Sequence, residues 1–235
     1  MNYQVYPLGE TALVVALGDS INLETHNKVK ALAKFLDEQP FTGLVEYVPA
    51  FTTVTVFYDP LQFADDEQVS AYKRVSDIMD SIMNQLKEEE RGNFRVMEIP
   101  VCYGGRFGPD LEFVAEHNGL TPEEVVEIHT SGEYLVYMIG FAPGFPYIGG
   151  MSERIAAPRR PSPRLAIPAG SVGIAGKQTG VYPIETPGGW QLIGQTPLQL
   201  FRPLDSSPSL LQAGDQVRFV SVTEDEFLEL KGDLI

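Results

Sequence analysis

The chain is poor in the residue types that most often build chemistry by themselves. One cysteine, Cys102, excludes an internal disulfide, and its apolar neighbours Val101 and Tyr103 mark it as a buried structural thiol. The three histidines, His26, His117 and His129, stand at no zinc-binding spacing, so no intrinsic metal is expected. Basic residues are scarce: 17 Lys and Arg against 32 Asp and Glu give a formal charge of −15. Such a balance excludes the clustered cations that a nucleic acid or an anionic membrane surface requires. No apolar run reaches the ~18 residues of a membrane span, and Met1 to Glu10 lacks a basic start followed by an apolar stretch. A cytoplasmic protein is expected.

What is present divides into two halves. Residues 1–97 carry long periodic segments and few glycines, whereas residues 98–235 are crowded with Gly and Pro. In the first half Thr11 to Leu17 reads as a strand. Asn22 to Gln39 reads as an amphipathic helix with Val29, Leu32, Ala33 and Leu36 on one face. Leu44 to Pro49 and Thr52 to Tyr58 read as strands, the second with Val54, Val56 and Tyr58 alternating against Thr53, Thr55 and Phe57. A long helix from Asp66 to Glu90 and a strand from Phe94 to Val101 complete a β-α-β-β-α-β order, with an extra strand at Tyr3 to Pro7. That order is the split βαβ of ferredoxin-like sandwiches.

In the second half Asp110 is placed to start a helix ending at Gly119. Thr121-Pro-Glu-Glu124 then gives a capping box for a helix through His129. Glu133 to Gly140 reads as a strand. Short apolar runs follow at Leu165 to Pro168, Ser171 to Ala175, Val181 to Glu185, Trp190 to Ile193, Leu198 to Phe201 and Gln216 to Val222, before a helix from Glu224. Short strands at that spacing predict a closed β-barrel. The fold class is therefore α+β, a ferredoxin-like domain over residues 1–97 followed by a barrel domain over residues 98–235.

The segment Gly170 to Gly180, GSVGIAGKQTG, imitates a phosphate-binding loop. A P-loop needs a glycine five residues before its Gly-Lys and a hydroxyl after the lysine, where this chain has Ser171 and Gln178. A β-type run, Thr179 to Ile184, also replaces the helix that should follow. Two further stretches are unusual. GFAPGFPYIGG, Gly140 to Gly150, holds Phe141, Phe145 and Tyr147 on a loop shaped by two prolines and four glycines. PRRPSPR, Pro158 to Arg164, presents Arg159, Arg160 and Arg164 on a stiff segment.

Taken with HTSGEY (129–134), PAGSVGIAG (168–176), QTGVYP (178–183), TPGGWQLIG (186–194), IPVCYGG (99–105), GPDL (108–111) and LLQAGDQVRF (210–219), these motifs closely resemble the family of the 5-oxoprolinase B subunit. That family includes the inhibitor of the sporulation histidine kinase and the first subunit of allophanate hydrolase, of carboxyltransferase type. The resemblance implies a ferredoxin-like domain and a cyclophilin-like barrel. It implies a component that works with a homologous C-type subunit, and with a further A-type one, to open 5-oxoproline to glutamate, with ATP as co-substrate and Mg at the level of the complex. Alternatives within the resemblance are a regulator that docks on a sensor histidine kinase, and a carboxyltransferase part of a urea-metabolising system that uses biotin.

The chemistry so implied needs cations against carboxylate or phosphate and donors aimed at developing oxyanions. Arg159, Arg160 and Arg164 are candidates for gripping such groups, against surface ion pairing as the bland role. His129 is a candidate proton carrier or donor, against a helix-end histidine satisfied by a carbonyl. Gln178 and Thr179 offer an amide and a hydroxyl at a tight turn. Phe141, Pro143, Gly144, Phe145, Tyr147, Tyr182 and Trp190 are candidate substrate contacts, against core packing. Gly188 and Gly189 are expected to form a hairpin turn.

Overall fold

The computed structural model describes residues 2–63, 69–86 and 95–232, and its contacts divide the chain into two compact units, Met1–Asn93 and Phe94–Ile235.

In the first unit, β1 (Gln4–Pro7), β2 (Ala12–Ala16), β3 (Leu44–Pro49) and β4 (Thr53–Tyr58) form one antiparallel sheet in the order β1-β2-β4-β3. Helices α1 (Leu23–Glu38) and α2 (Ala71–Gln85) pack against it. The alternation read in β4 holds, since Val54, Val56 and Tyr58 are buried with Leu13 and Val15 against Val29, Leu32, Leu36, Val75 and Met79. Asn22 caps α1 by accepting from the Thr25 N–H at 2.8 Å, and Ser70 caps α2. The expected ends of the second helix at residues 66–68 and 87–90 lie outside the described residues.

The expected last strand of the first sheet belongs elsewhere. β5 (Val96–Tyr103) runs parallel to β13 (Gln216–Ser221) in the second unit, and the edge beside β2 is taken by β1. The reason is burial: Ile99 and Val101 of β5 are fully enclosed in the core of the second unit. Phe94 itself lies outside the described residues.

The second unit continues with α3 (Leu111–Asn118), α4 (Pro122–Ser131), β6 (Tyr134–Ile139), β7 (Pro146–Gly149), β8 (Arg164–Ile167), β9 (Ser171–Ala175), β10 (Gln178–Val181), β11 (Thr186–Gly188) and β12 (Gln191–Gln195), and after β13 with α5 (Glu224–Gly232). A closed barrel runs β10-β7-β6-β13-β5-β12-β9, while β8 and β11 form a separate two-stranded ribbon. The capping box of α4 is complete, with Glu124 N–H donating to Thr121 Oγ1 and Thr121 N–H to the Glu124 carboxylate.

Several boundaries differ from the sequence reading. Leu198 to Phe201 is no strand, only an isolated bridge at Phe201, and of Val181 to Glu185 only Val181 lies in a strand, the backbone bonding to the neighbouring segment ending at Tyr182 because Pro183 cannot extend a ladder. The second half of GFAPGFPYIGG is a barrel strand, β7. Gly188 and Gly189 make no hairpin: Gly188 ends β11 opposite Arg164, and the chain passes from the ribbon to β12 in the barrel wall.

Candidate functional site

The glycine-rich segment that imitates a phosphate loop is a β-hairpin. Gln178 pairs with Ala175, so Gly176 and Lys177 alone make the turn between β9 and β10, and Gly176 has φ +58°. A two-residue hairpin needs positive φ at its first position, which glycine adopts without strain. Lys177 is exposed and bonds Glu153 at 2.7 Å. The backbone N–H groups are spent on the ladder, and no helix follows, so the segment does not fit a triphosphate.

Alternation along β10 sends its side chains to two different places. Thr179 points inward, where its hydroxyl meets His129 Nε2 at 2.9 Å and donates to the Gly173 carbonyl at 3.2 Å. The other ring nitrogen, Nδ1, meets the Tyr103 hydroxyl at 2.7 Å, and the Tyr134 hydroxyl donates to the His129 carbonyl. With the Thr179 proton on Gly173, the consistent tautomer has Nε2–H donating to Thr179 and Nδ1 accepting from Tyr103. The ring is fully buried against Phe219, with centroids 4.4 Å apart. Burial lowers its pKa to about 3, so it is neutral in the folded barrel. Burial likewise pushes the Tyr103 phenol well up, keeping it a donor.

The structure places the candidates His129 and Thr179 in the interior of the barrel unit, apart from the exposed candidates. Both are enclosed, their polar atoms satisfied by one another, and they tie α4 to β10 from within. The ring stays uncharged near neutrality, its one N–H is spent on Thr179, and it has no exposed edge.

The outer face of β10 presents the opposite surface. A Cβ on Gly180 would lie 3.1 Å from the Trp190 indole and 3.3 Å from Phe145, and one on Gly173 would lie 3.2 Å from Trp190 Cβ. The glycines therefore let aromatic rings lie flush on the barrel wall. Phe145 is the hub, in edge contact with Phe141, Tyr147, Tyr182 and Trp190 at centroid distances of 5.4 to 5.8 Å. Phe145, Tyr182 and Trp190 are buried there, whereas Phe141 is 71% exposed. Phe141 also has φ +68°, the left-handed region that a bulky residue seldom occupies. Gly144, with φ +76°, turns the loop so closely against Leu200 and Phe201 that a Cβ would approach Phe201 Cβ to 3.0 Å. Pro143 is exposed beside it, and Gln178 is half-buried at the hairpin end.

Beside this aromatic cluster two of the three arginines, Arg160 and Arg164, converge on Asp110. Asp110 Oδ1 accepts from Arg160 Nη1 at 3.0 Å and from Arg164 Nη2 at 2.8 Å, while Oδ2 accepts from the Leu192 N–H at 2.7 Å. Asp110 is buried, and Arg160 and Arg164 are about one-third and one-quarter exposed, at 36% and 23%. The Arg160 N–H donates to the Gly189 carbonyl at 2.7 Å, which fixes that residue beside Trp190. Arg160 Nε and Arg164 Nη1 are buried without an acceptor, at a cost on the order of 1–3 kcal/mol each. The Tyr182 phenol is raised by burial and drawn back by a backbone hydrogen bond with Trp190 and by the charges of Arg159 and Arg164. Arg159 is exposed and makes no ion pair among the described residues.

Asp110 stands at the start of α3 as read from the sequence, but the partners of its carboxylate were not foreseen. It precedes α3 but makes no side-chain cap; its carboxylate turns instead to β12 and to the arginines. No local signal reveals this, because its charged partners lie 50 and 54 residues away.

The remaining features stand apart. A cavity of about 950 Å³ in the first unit is lined by Tyr3, Tyr6, Asp19, Asn22 and Lys28, and one of about 520 Å³ in the second by Pro183, Gln195, Phe201, Phe227 and Lys231. Neither holds a residue that the sequence singles out. Cys102 is buried and its thiol is pushed up by burial, as befits a structural residue. Among the described residues no group of three His, Cys, Asp or Glu could hold a metal ion, and no helix is long and apolar enough to cross a membrane.

Residues 3–211 match the family described as "Carboxyltransferase domain, subdomain C and D". The chain is 54% identical to the B subunit of 5-oxoprolinase from Bacillus subtilis over 230 residues, 97% of this chain and 96% of that protein. It superposes on the crystal structure of TTHA0988 with a TM-score of 0.76 at 35% identity, over 90% of this chain but only 40% of that longer one. Urea amidolyase of Kluyveromyces lactis shares the fold alone, with a TM-score of 0.77 at 20% identity over 98% of this chain and 15% of that one.

Proposed function

The chain belongs to the carboxyltransferase C and D domain family and, within it, to the B subunits of 5-oxoprolinase, and from that premise we propose that it serves an ATP-dependent opening of 5-oxo-L-proline to L-glutamate. The observation that carries this reading is the identity to proteins of that name, 54% and 46%, over more than nine-tenths of the chain. As a B-type component it works in an assembly of several different chains, for which we propose a homologous C-type subunit, together with an A-type one, as partners.

The lactam is an unstrained amide, so its opening near neutrality needs a driving reaction. The proposed course is transfer of the ATP γ-phosphoryl group to the lactam oxygen with loss of ADP. Water then adds at the activated carbon, the C–N bond breaks, and a second water releases phosphate to leave glutamate. Positive charge near the phosphoryl and carboxylate oxygens stabilises the charge that moves in these steps. In this chain Arg159, Arg160 and Arg164 supply it beside an aromatic platform of Phe141, Phe145, Tyr147, Tyr182 and Trp190, with Gln178 at the rim. The hairpin at Gly176 gives no triphosphate cradle, so we assign the bulk of the nucleotide, and any Mg that accompanies it, to the partner chains.

Phe141 supports this placement of the site. An exposed ring held at positive φ costs on the order of 1–3 kcal/mol, and such strain gathers at ligand-binding positions. The test is ATP-dependent glutamate formation from 5-oxoproline by the purified components of the assembly, each omitted in turn. Activity that requires this chain is the expected outcome; full activity without it overturns the reading.

A further inference from the structure

We propose that Arg160 and Arg164, aligned by the one carboxylate of Asp110 that they share, form an oxyanion-binding subsite beside Trp190. Its ligand is a carboxylate or a phosphoryl group.

Charge comes first. Two guanidinium groups meet on a single carboxylate oxygen, Asp110 Oδ1, so the buried centre keeps a net positive charge before Arg159 is counted. In a chain of formal charge −15 that local excess is unusual. The carboxylate cannot serve both guanidiniums fully, because Oδ2 is already occupied by the Leu192 N–H. Partial exposure is the second observation. The side chains of Arg160 and Arg164 stay open at 36% and 23%, and guanidinium groups pair readily with planar oxyanions through two parallel N–H bonds.

Rigidity is the third. The Arg160 backbone is pinned to Gly189, Arg164 lies opposite Gly188 in the β8–β11 ribbon, and Asp110 is anchored to β12. A preorganised fork loses little freedom on binding. Asp110 is therefore a positioning residue: it holds two cations in place and leaves part of their charge for a ligand.

Which oxyanion is natural rests on the oxoprolinase reading; the subsite itself does not. Trp190 follows Gly189 directly and is the only tryptophan, so its emission reports on this place alone. The full-length chain is titrated with sodium phosphate, with 5-oxo-L-proline, and with 2-pyrrolidinone, the same ring without its carboxylate, at constant ionic strength. The expected result is a saturable change in Trp190 emission with phosphate or 5-oxoproline and none with 2-pyrrolidinone. Saturation by phosphate alone identifies a phosphoryl subsite, and by 5-oxoproline alone a carboxylate subsite.

Arg164→Gln and Arg160→Gln should each weaken binding roughly tenfold or more, the loss of one charged hydrogen bond. Matching circular dichroism and unfolding midpoints show that the variants are folded, and Arg160→Gln, at the more exposed position, covers a failure of Arg164→Gln to fold. No saturable response to either oxyanion, an equal response to 2-pyrrolidinone, or unchanged affinity in folded variants overturns the subsite. Glutamate formation without an oxyanion response sinks the subsite and spares the enzyme; a specific response with no glutamate formed does the reverse.

Discussion

The two faces of β10 are built from adjacent residues and do opposite work. Thr179, facing in, joins a closed chain of hydrogen bonds through His129 to Tyr103 in which each of these partners is satisfied. Gly180, facing out, has no side chain, and the rings of Trp190 and Phe145 fill the space it leaves. Inside, polarity is consumed by structure. Outside, the apolar floor adjoins guanidinium groups that remain partly exposed. A polar residue near a motif therefore says little about function until the face it points to is known.

This contrast can be broken by substitution, and the largest effect is expected inside. His129→Ala removes a buried ring and strands Tyr103 and Thr179. A loss of about 3–5 kcal/mol in unfolding free energy is expected, read by chemical denaturation. Asp110→Ala comes next, at about 2–4 kcal/mol, because two partly buried cations lose their common anion. A wild-type unfolding curve from either variant would show that these contacts carry no stability.

The pH dependence sharpens the same comparison. An unfolded histidine titrates near 6.5, whereas folded His129 titrates at about 3. Between these values the unfolded chain binds a proton that the folded barrel refuses, so stability is full above pH 6.5 and falls as pH drops toward 3. The slope is about 1.4 kcal/mol per pH unit at most from this group. His26, buried in the first unit and lowered to about 4 by burial and then by Lys30, acts in the same direction. His129→Gln should flatten the acid limb of the barrel unit only; an unchanged limb would mean that the ring is accessible to protons.

The outer face should respond the other way. Phe141→Gly relieves the left-handed strain at φ +68° while giving up backbone restriction, so stability should change by less than about 1 kcal/mol. Glutamate formation by the assembled enzyme should nonetheless fall; full activity would show that the exposed ring does not meet substrate. The smallest effect is expected at the hairpin. Gly176→Ala meets no neighbour within 4 Å but places a Cβ at φ +58°, at a cost of about 1 kcal/mol, with oxyanion affinity unchanged.

Much of this architecture is legible in the sequence because it rests on local signals. The alternation of β4, the apolar face of α1 and the capping box at Thr121 lie within a few residues of what they determine. The failures share a physical cause. β5 reads as a strand but pairs with residues 120 positions away, and nothing in Phe94 to Val101 names that partner. Asp110 opens α3 as read, because helix starts are short-range features, but the arginines that its carboxylate meets arrive through tertiary contact. His129 and Thr179 do lie within the motifs, but the face of the element that carries each of them, not proximity, decides which side of the wall it serves.

The parallel pairing of β5 with β13 places the first and last strands of the barrel side by side, locked at one end by Arg95 and Asp215. During synthesis β5 emerges early, with its Ile99 and Val101 face unable to find its neighbour until some 120 further residues have been made. The first unit, complete by residue 93, can fold while it waits. The barrel cannot, because its seam closes only with nearly the last strand, and contacts so distant in sequence form slowly. In the cell, the period before closure is when this chain most needs protection from aggregation, and assembly with its partner chains follows it.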